Sequence, residues 1–95
     1  MGLAVNRLDE KYSVSSTVEW AESDGEIMIV ELEQGQVYSF NAVASTIWRG
    51  VIEGLSVGQI VDSLEQEFDV AEETLQADVI GFVDSLLSKE LVALL

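Results

Sequence analysis

Two rhythms of apolar residues divide the chain near residue 41, strand-like before it and helix-like after it. Ser13 to Trp20 is rich in β-branched and hydroxyl side chains, which favour extended backbone and predict a first strand over about 13–20. Ser23-Asp24-Gly25 reads as a turn. Ile27-Met28-Ile29-Val30-Glu31-Leu32, five apolar residues in six, predicts a second strand over about 27–32. Glu33-Gln34-Gly35-Gln36 supplies a reversal, with Gly35 free to take positive φ, and Val37-Tyr38-Ser39-Phe40 returns as a third strand over 37–40. A turn centred on Gln34-Gly35 sets Leu32 opposite Val37 and Ile29 opposite Phe40.

Helix punctuation takes over at Asn41, which suits the N-cap of a helix over about 42–53. Its apolar stripe is Val43, Ile47 and Val51, flanked by Trp48 and Ile52, and Gly54 ends it. Ser56 and Gln59 have the spacing of a capping box, and Leu55 and Ile60 that of a hydrophobic staple, opening a helix over about 57–68. A third helix runs over about 71–89, with Leu75, Val79, Phe82 and Leu86 on one stripe. Glu72 and Glu73 in its first turn suit the positive end of the helix dipole. The tail Leu91-Val92-Ala93-Leu94-Leu95 is too apolar for a free solvated end; it packs back on the core or meets a partner, a second copy included.

The order β-β-β-α-α-α predicts an α+β domain over residues 13–95, a three-stranded antiparallel sheet covered on one side by three helices. Residues 1–12 are expected to form a weakly structured N-terminal segment. A small open sheet has two edges. If strand 37–40 is outermost, its edge carries no Pro, Lys or other charge to blunt it.

Composition narrows what such a domain can do. Ninety-five residues, 48% hydrophobic, suffice for one domain with a real core. Eighteen acids against four bases give a net charge of −14, and Arg7, Lys11, Arg49 and Lys89 are scattered singly. Nucleic-acid binding needs clustered bases, and the third helix offers one Gln and one Lys, so no nucleic-acid partner is expected. Anionic membranes are disfavoured for the same reason, and no apolar run approaches a spanning length. Without Cys or His there is no disulfide, zinc site, thiol nucleophile or imidazole base, so neither catalytic residues nor a cofactor nor a metal is expected. The start lacks the apolar run of a signal peptide, and Asn6 stands where a myristoylation motif wants Ser or Thr, so a cytoplasmic protein is expected.

Two local patterns invite sharper readings. The acids Glu65, Glu67, Asp69, Glu72 and Glu73 lack the alternating Asp/Asn and Gly of a calcium loop and read as solvated faces. Asp62-Ser63-Leu64 and Asp84-Ser85-Leu86 match the tripeptide that carries phosphopantetheine in small acidic carrier proteins. Here both copies fall inside predicted helices with Leu on the buried stripe, and the strand-rich first half does not suit an all-helical carrier.

Residues 18–92 resemble the PqqD-like family, also called RiPP recognition elements. The resemblance rests on an ordered set: Asp24-Gly25 before an apolar strand, a Gly turn, Phe40-Asn41 and a helix with Ile47-Trp48. It continues through Ser56, Ile60 and Leu64, then Phe68-Asp69-Val70, and Asp78-Val79 with Phe82 and Leu86. It implies a winged-helix-like, non-catalytic domain that binds the leader of a ribosomally made precursor peptide by strand addition. On this chain the pairing edge would be Val37, Tyr38, Ser39 and Phe40, and the third helix would give a groove wall from Leu75, Asp78, Val79 and Phe82. Asp78 would meet a basic or hydroxyl group of the leader. The implied partners are the precursor leader and a separate leader peptidase or modifying enzyme, and the reading taken is a lasso-peptide pathway. The alternative is a carrier for pyrroloquinoline quinone assembly or another radical enzyme. The surplus of acids would favour a basic leader or partner enzyme, through on-rate more than affinity. Two positions depart from the family pattern. Ala71-Glu72 replaces the usual Asp or Ser with Pro at the start of the third helix, so Asp69 would cap it, and Glu90 stands where a Gly usually ends it.

Overall fold

The computed structural model describes residues 7–95. After a 3₁₀ turn at Arg7–Asp9 come β1 (Tyr12–Val14), β2 (Val18–Ser23), β3 (Glu26–Glu31) and β4 (Gln36–Phe40). The helices α1 (Ala42–Ile52), α2 (Val57–Glu67) and α3 (Glu72–Ser88) follow, and β5 (Val92–Leu94) ends the chain. The α+β class and the three-stranded antiparallel sheet followed by three helices are as the pattern predicts, with strand order β2-β3-β4.

What the pattern runs together as one strand over 13–20 is two. The polar break Ser15-Ser16-Thr17 separates β1 from β2, and β1 pairs instead with β5, placing Tyr12 opposite Leu94 and Val14 opposite Val92. The apolar tail thus packs back on the protein: Leu91 and Val92 are buried. The described part of the segment 1–12 is also tied in rather than weakly structured. Tyr12 is 2% exposed, the carbonyl of Glu10 accepts from the N–H of Val57 at 3.0 Å, and Arg7 makes a two-pronged contact with Asp84 of α3. Residues before Arg7, including Asn6, lie outside the described residues.

The β2–β3 hairpin closes through Asp24 and Gly25, both at positive φ, the conformation a tight two-residue reversal needs. The β3–β4 reversal keeps the expected four residues but sits one residue earlier, over Leu32 to Gly35. Glu31 lies opposite Gln36 and Ile29 opposite Tyr38, a slip of two residues from the predicted pairing that keeps every side chain on its expected face. The cause is Glu31. Its carboxylate, turned inward and 4% exposed, accepts from the Gln34 N–H at 2.7 Å and from the Thr17 hydroxyl, fixing a four-residue loop.

Ile27, Ile29 and Phe40 point from the sheet into a core completed by Ile47, Trp48 and Val51 of α1, the α2 stripe Val57, Ile60, Val61 and Leu64, and α3. Caps form where sequence placed them. Asn41 accepts from Ala44, and Ser56 and Gln59 make a complete capping box. Ser45, fully buried in α1, stitches helix to sheet: its hydroxyl accepts from the N–H of Ile27 at 2.9 Å and donates to the carbonyl of Phe40 at 3.2 Å. Among the described residues, the buried indole N–H of Trp48 finds no acceptor, a cost of about 1–3 kcal/mol set against burial of the largest side chain in the core.

Candidate functional site

β4 is an edge strand, and the backbone phase along it follows from two hydrogen bonds on its neighbour. The N–H of Leu32 donates to the carbonyl of Thr17 beside β2, at 2.9 Å, whereas the N–H of Ile27 turns the other way, to Ser45 beside Phe40. Backbone groups alternate sides along a strand, so Ile27, Ile29 and Glu31 address β4. Their partners Phe40, Tyr38 and Gln36 therefore face inward along the ladder. The N–H and C=O groups of Val37 and Ser39 are left facing the open edge. The other edge, β2, is guarded by Glu19 and Glu22.

Beside the β4 edge a groove of about 490 Å³ runs between the strand and the C-terminal half of α3. One wall is Val37, Tyr38, Ser39 and Phe40 with Asn41 and Ala44 beyond; the other is Phe82, Ser85, Leu86 and Lys89, and Leu91 closes the end. The rings of Phe40 and Phe82 meet edge to face with centroids 5.1 Å apart, and Phe40 meets Trp48 likewise at 5.7 Å. The groove floor is therefore an aromatic stack anchored in the core. Lys89 stands at the rim with its ammonium donating to the Ser85 hydroxyl at 2.8 Å, whereas Arg7 and Arg49 are engaged by carboxylates. An apolar trough flanked by open main-chain donors and acceptors suits an extended peptide better than a compact ligand.

Of the residues singled out from sequence, Val37, Tyr38, Ser39, Phe40 and Phe82 come together around this groove. Leu75 and Val79 do not. They are 3% and 0% exposed, turned into the core against α2, and the assignment of both to the groove wall is corrected. Asp78 is exposed on α3 and does not line this groove. The reason is the roll of α3. Its buried stripe is Leu75, Val79, Val83 and Leu86, which turns Phe82 outward towards β4. Ser85 and Lys89 were missed, although Phe82, Ser85, Leu86 and Lys89 stand at i, i+3, i+4 and i+7, the spacing of one helix face.

Both ends of α3 differ from expectation. Ala71, not Asp69, is the N-cap and gives no side-chain hydrogen bond. At the far end Glu90 takes φ +60°, the N–H of Leu91 donates to the carbonyl of Leu86 and that of Glu90 to the carbonyl of Leu87. This is the two-bond Schellman closure that usually employs Gly, and it drops Leu91 against the groove.

The remaining motifs are structural. Ser63 and Ser85 of the two Asp-Ser-Leu tripeptides sit inside α2 and α3, not at a helix start. Carboxylates of Asp62, Glu65 and Glu72 converge to within 4.8 Å, all three exposed, as dense surface acids do without an ion. Among the described residues no helix is long and apolar enough to cross a membrane.

Comparison with known proteins converges on the same fold. The structure is similar to TbiB1, solved in complex with the TbiA(beta) leader peptide: 33% identity, TM-score 0.79, covering 83% of this chain and 92% of that one. It is also similar to a lasso peptide synthetase B1 complexed with its leader peptide, at 18% identity and TM-score 0.81, covering 87% of this chain and 98% of that one. No curated protein matches. Residues 26–92, from the start of β3 to the start of β5, match the family model described as coenzyme PQQ synthesis protein D, and the chain belongs to the PqqD family.

Proposed function

We propose that this protein is a non-catalytic, cytoplasmic module that binds the leader of a ribosomally made precursor peptide and presents it to a separate leader peptidase or modifying enzyme, as in lasso-peptide biosynthesis. The leader adds as a strand outside β4, pairing with Val37 and Ser39, while its alternate side chains enter the groove over Phe40 and Phe82. The observation that carries this reading is the coincidence of an unblunted strand edge with an apolar groove along it. The solved complexes of TbiB1 and of a lasso peptide synthetase B1 with leader peptides support it.

Magnitudes assign separate roles to edge and groove. Each main-chain hydrogen bond contributes about 0.5–1.5 kcal/mol net, while ordering each leader residue costs about 1–2 kcal/mol. Strand pairing alone therefore fixes register and direction but scarcely binds. Burial of apolar leader side chains supplies the surplus, at about 25 cal/mol per Å².

Fluorescence anisotropy with the labelled leader of the precursor encoded beside this gene tests the proposal. Saturable binding that the core peptide does not show is expected. A flat titration to tens of micromolar would overturn it. The match to the PQQ-synthesis family model favours one second reading, a carrier acting with a radical enzyme. That reading uses the same groove, and replacing the lasso precursor's leader with that of the quinone precursor separates the two.

A further inference from the structure

The face of the β2–β3–β4 sheet turned away from the helices has no cover among the described residues. The helices occupy the other face, and the β1–β5 ribbon packs against α1 and α3. Strand alternation brings Ala21, Met28, Val30 and Val37 to this outer face, with Leu32 continuing it into the loop. Val30 lies opposite Val37 and Met28 opposite Ala21, so these are neighbours and not scattered singles. Met28 is 52% exposed, Leu32 56% and Val37 58%. Single exposed apolar residues need no explanation; a contiguous row on one face does.

The charge around the row has one sign. Glu19 and Glu26 share the face, and Asp24 and Glu33 stand in the turns at its two ends. Arg49 is drawn off by Glu22 and the carbonyl of Gly25, Arg7 by Glu10 and Asp84, and Lys89 lies at the groove. Two copies meeting through this face would press acid rims together, each on a chain of charge −14. A partner whose own apolar patch is ringed by Lys and Arg is complementary in both respects.

The face also runs into the proposed leader site. Val37 and Ser39 give their side chains to the outer face and their backbone groups to the open edge. A leader added there turns every second side chain to the same outer face, because alternation continues into the new strand. We infer that the outer sheet face is the docking surface for the enzyme that acts on the bound precursor, engaged through a basic-rimmed apolar patch on that enzyme. This rests on the leader-binding reading above. Bound leader enlarges the face, so the enzyme prefers the loaded module to the empty one.

Met28→Asp and Leu32→Asp change exposed side chains away from the groove floor and test this. Leader affinity by anisotropy, and affinity for the leader peptidase encoded with the precursor by calorimetry, are measured with and without leader. Both variants are expected to bind leader within about twofold of wild type, yet to bind the peptidase more than tenfold more weakly. Leader is expected to tighten peptidase binding to the wild type. Glu19→Lys with Glu26→Lys is expected to slow peptidase association and remove its salt sensitivity. Unchanged peptidase affinity in both Asp variants overturns the inference. So does a parallel loss of leader affinity, which would make the face part of the leader site, or wild-type self-association that Met28→Asp abolishes. Wild type that binds leader but not peptidase defeats this inference alone; wild type that fails to bind leader defeats both.

Discussion

The rings of Phe40 and Phe82 stand at 81° to one another, their centroids 5.1 Å apart, so the last residue of β4 and the middle of α3 build one groove floor. The outcome of substitution along α3 depends on which side of that contact a residue lies. Phe82→Ala is expected to leave a folded domain, destabilised by about 1–2 kcal/mol, that binds leader more than tenfold more weakly. Val79→Asp, buried in the core, is expected to cost upwards of about 3 kcal/mol and to unfold much of the protein. Thermal melts beside leader titrations separate the two. A folded Phe82→Ala with wild-type affinity would take the ring out of the binding surface.

Backbone phase along β4 makes a sharper distinction. Proline is tolerated on an edge strand where its missing N–H would face outward, and not where it would face the ladder. Ser39→Pro is expected to melt close to wild type and lose leader binding, because the open-edge N–H is gone and the ring stands in the path of the added strand. Tyr38→Pro removes a group directed at Ile29 and is expected to lower stability by about 3 kcal/mol. The opposite order, with Ser39→Pro the less stable of the two, would show that the phase is reversed.

Both ends of α3 leave stability to be recovered. Ala71→Ser supplies the missing cap and is expected to add about 1 kcal/mol. Glu90→Gly relieves a side chain held at φ +60° and is expected to add a similar amount. Urea unfolding of the single and double variants checks both values. The ends are far apart, so the gains should add.

Much of this architecture was legible because it is local. Asn41, Ser56, Gln59 and the Asp24-Gly25 turn act within four residues of themselves, and each forms what its spacing implies. Alternation set the face of every residue in β3 and β4 but not their register, since a slip of two leaves faces unchanged. The deciding element was a side-chain bond from Glu31 to the loop, which no periodicity records. The β1–β5 pairing was hidden because three residues leave almost no pattern and their partner lies at the other end of the chain. In the candidate site, the edge strand could be read directly. The roll of α3 could not, because Phe82 and Val83 are adjacent apolar residues and only the facing ring of Phe40 decides which one turns out.

Acid should act on the β3–β4 loop. The Thr17 hydroxyl, and after it the Gln34 N–H, holds the carboxyl of Glu31 below the ordinary glutamate value of 4.5. A depressed folded-state value means that the stabilisation is complete above 4.5 and is lost as pH falls through the folded value. Glu31→Gln is expected to be less stable than wild type at pH 7 and to show a shallower loss of stability below pH 4.5. Chemical denaturation at a series of pH values checks this; parallel curves would exclude Glu31 as the source.

Gly50→Ala should break a general rule. Ala in place of Gly inside a helix ordinarily adds about 1 kcal/mol. At residue 50 of α1 an added methyl would come within 2.6 Å of Cγ1 of Ile60, a stiff, buried side chain of α2. Overpacking of this kind costs about 1–3 kcal/mol, so the variant is expected to be net destabilised. Ile60→Ala removes the clashing Cγ1, so Gly50→Ala is expected to cost less in the Ile60→Ala background than in the wild type in the same melts.

The pairing of Tyr12 with Leu94, reinforced by the N–H of Leu95 donating to the carbonyl of Lys11, closes nearly the whole described chain into one loop. Closing a loop of that length costs on the order of 4 kcal/mol in chain entropy, returned only once α3 has reached its end and Leu91 has dropped into place. The hairpins and helices can form early from nearby contacts, but the end wall of the groove hangs from the last closure. The wall that Leu91 gives the groove therefore depends on the meeting of the two ends of the described chain, so that a change at Tyr12 reaches the binding surface from the far side of the fold.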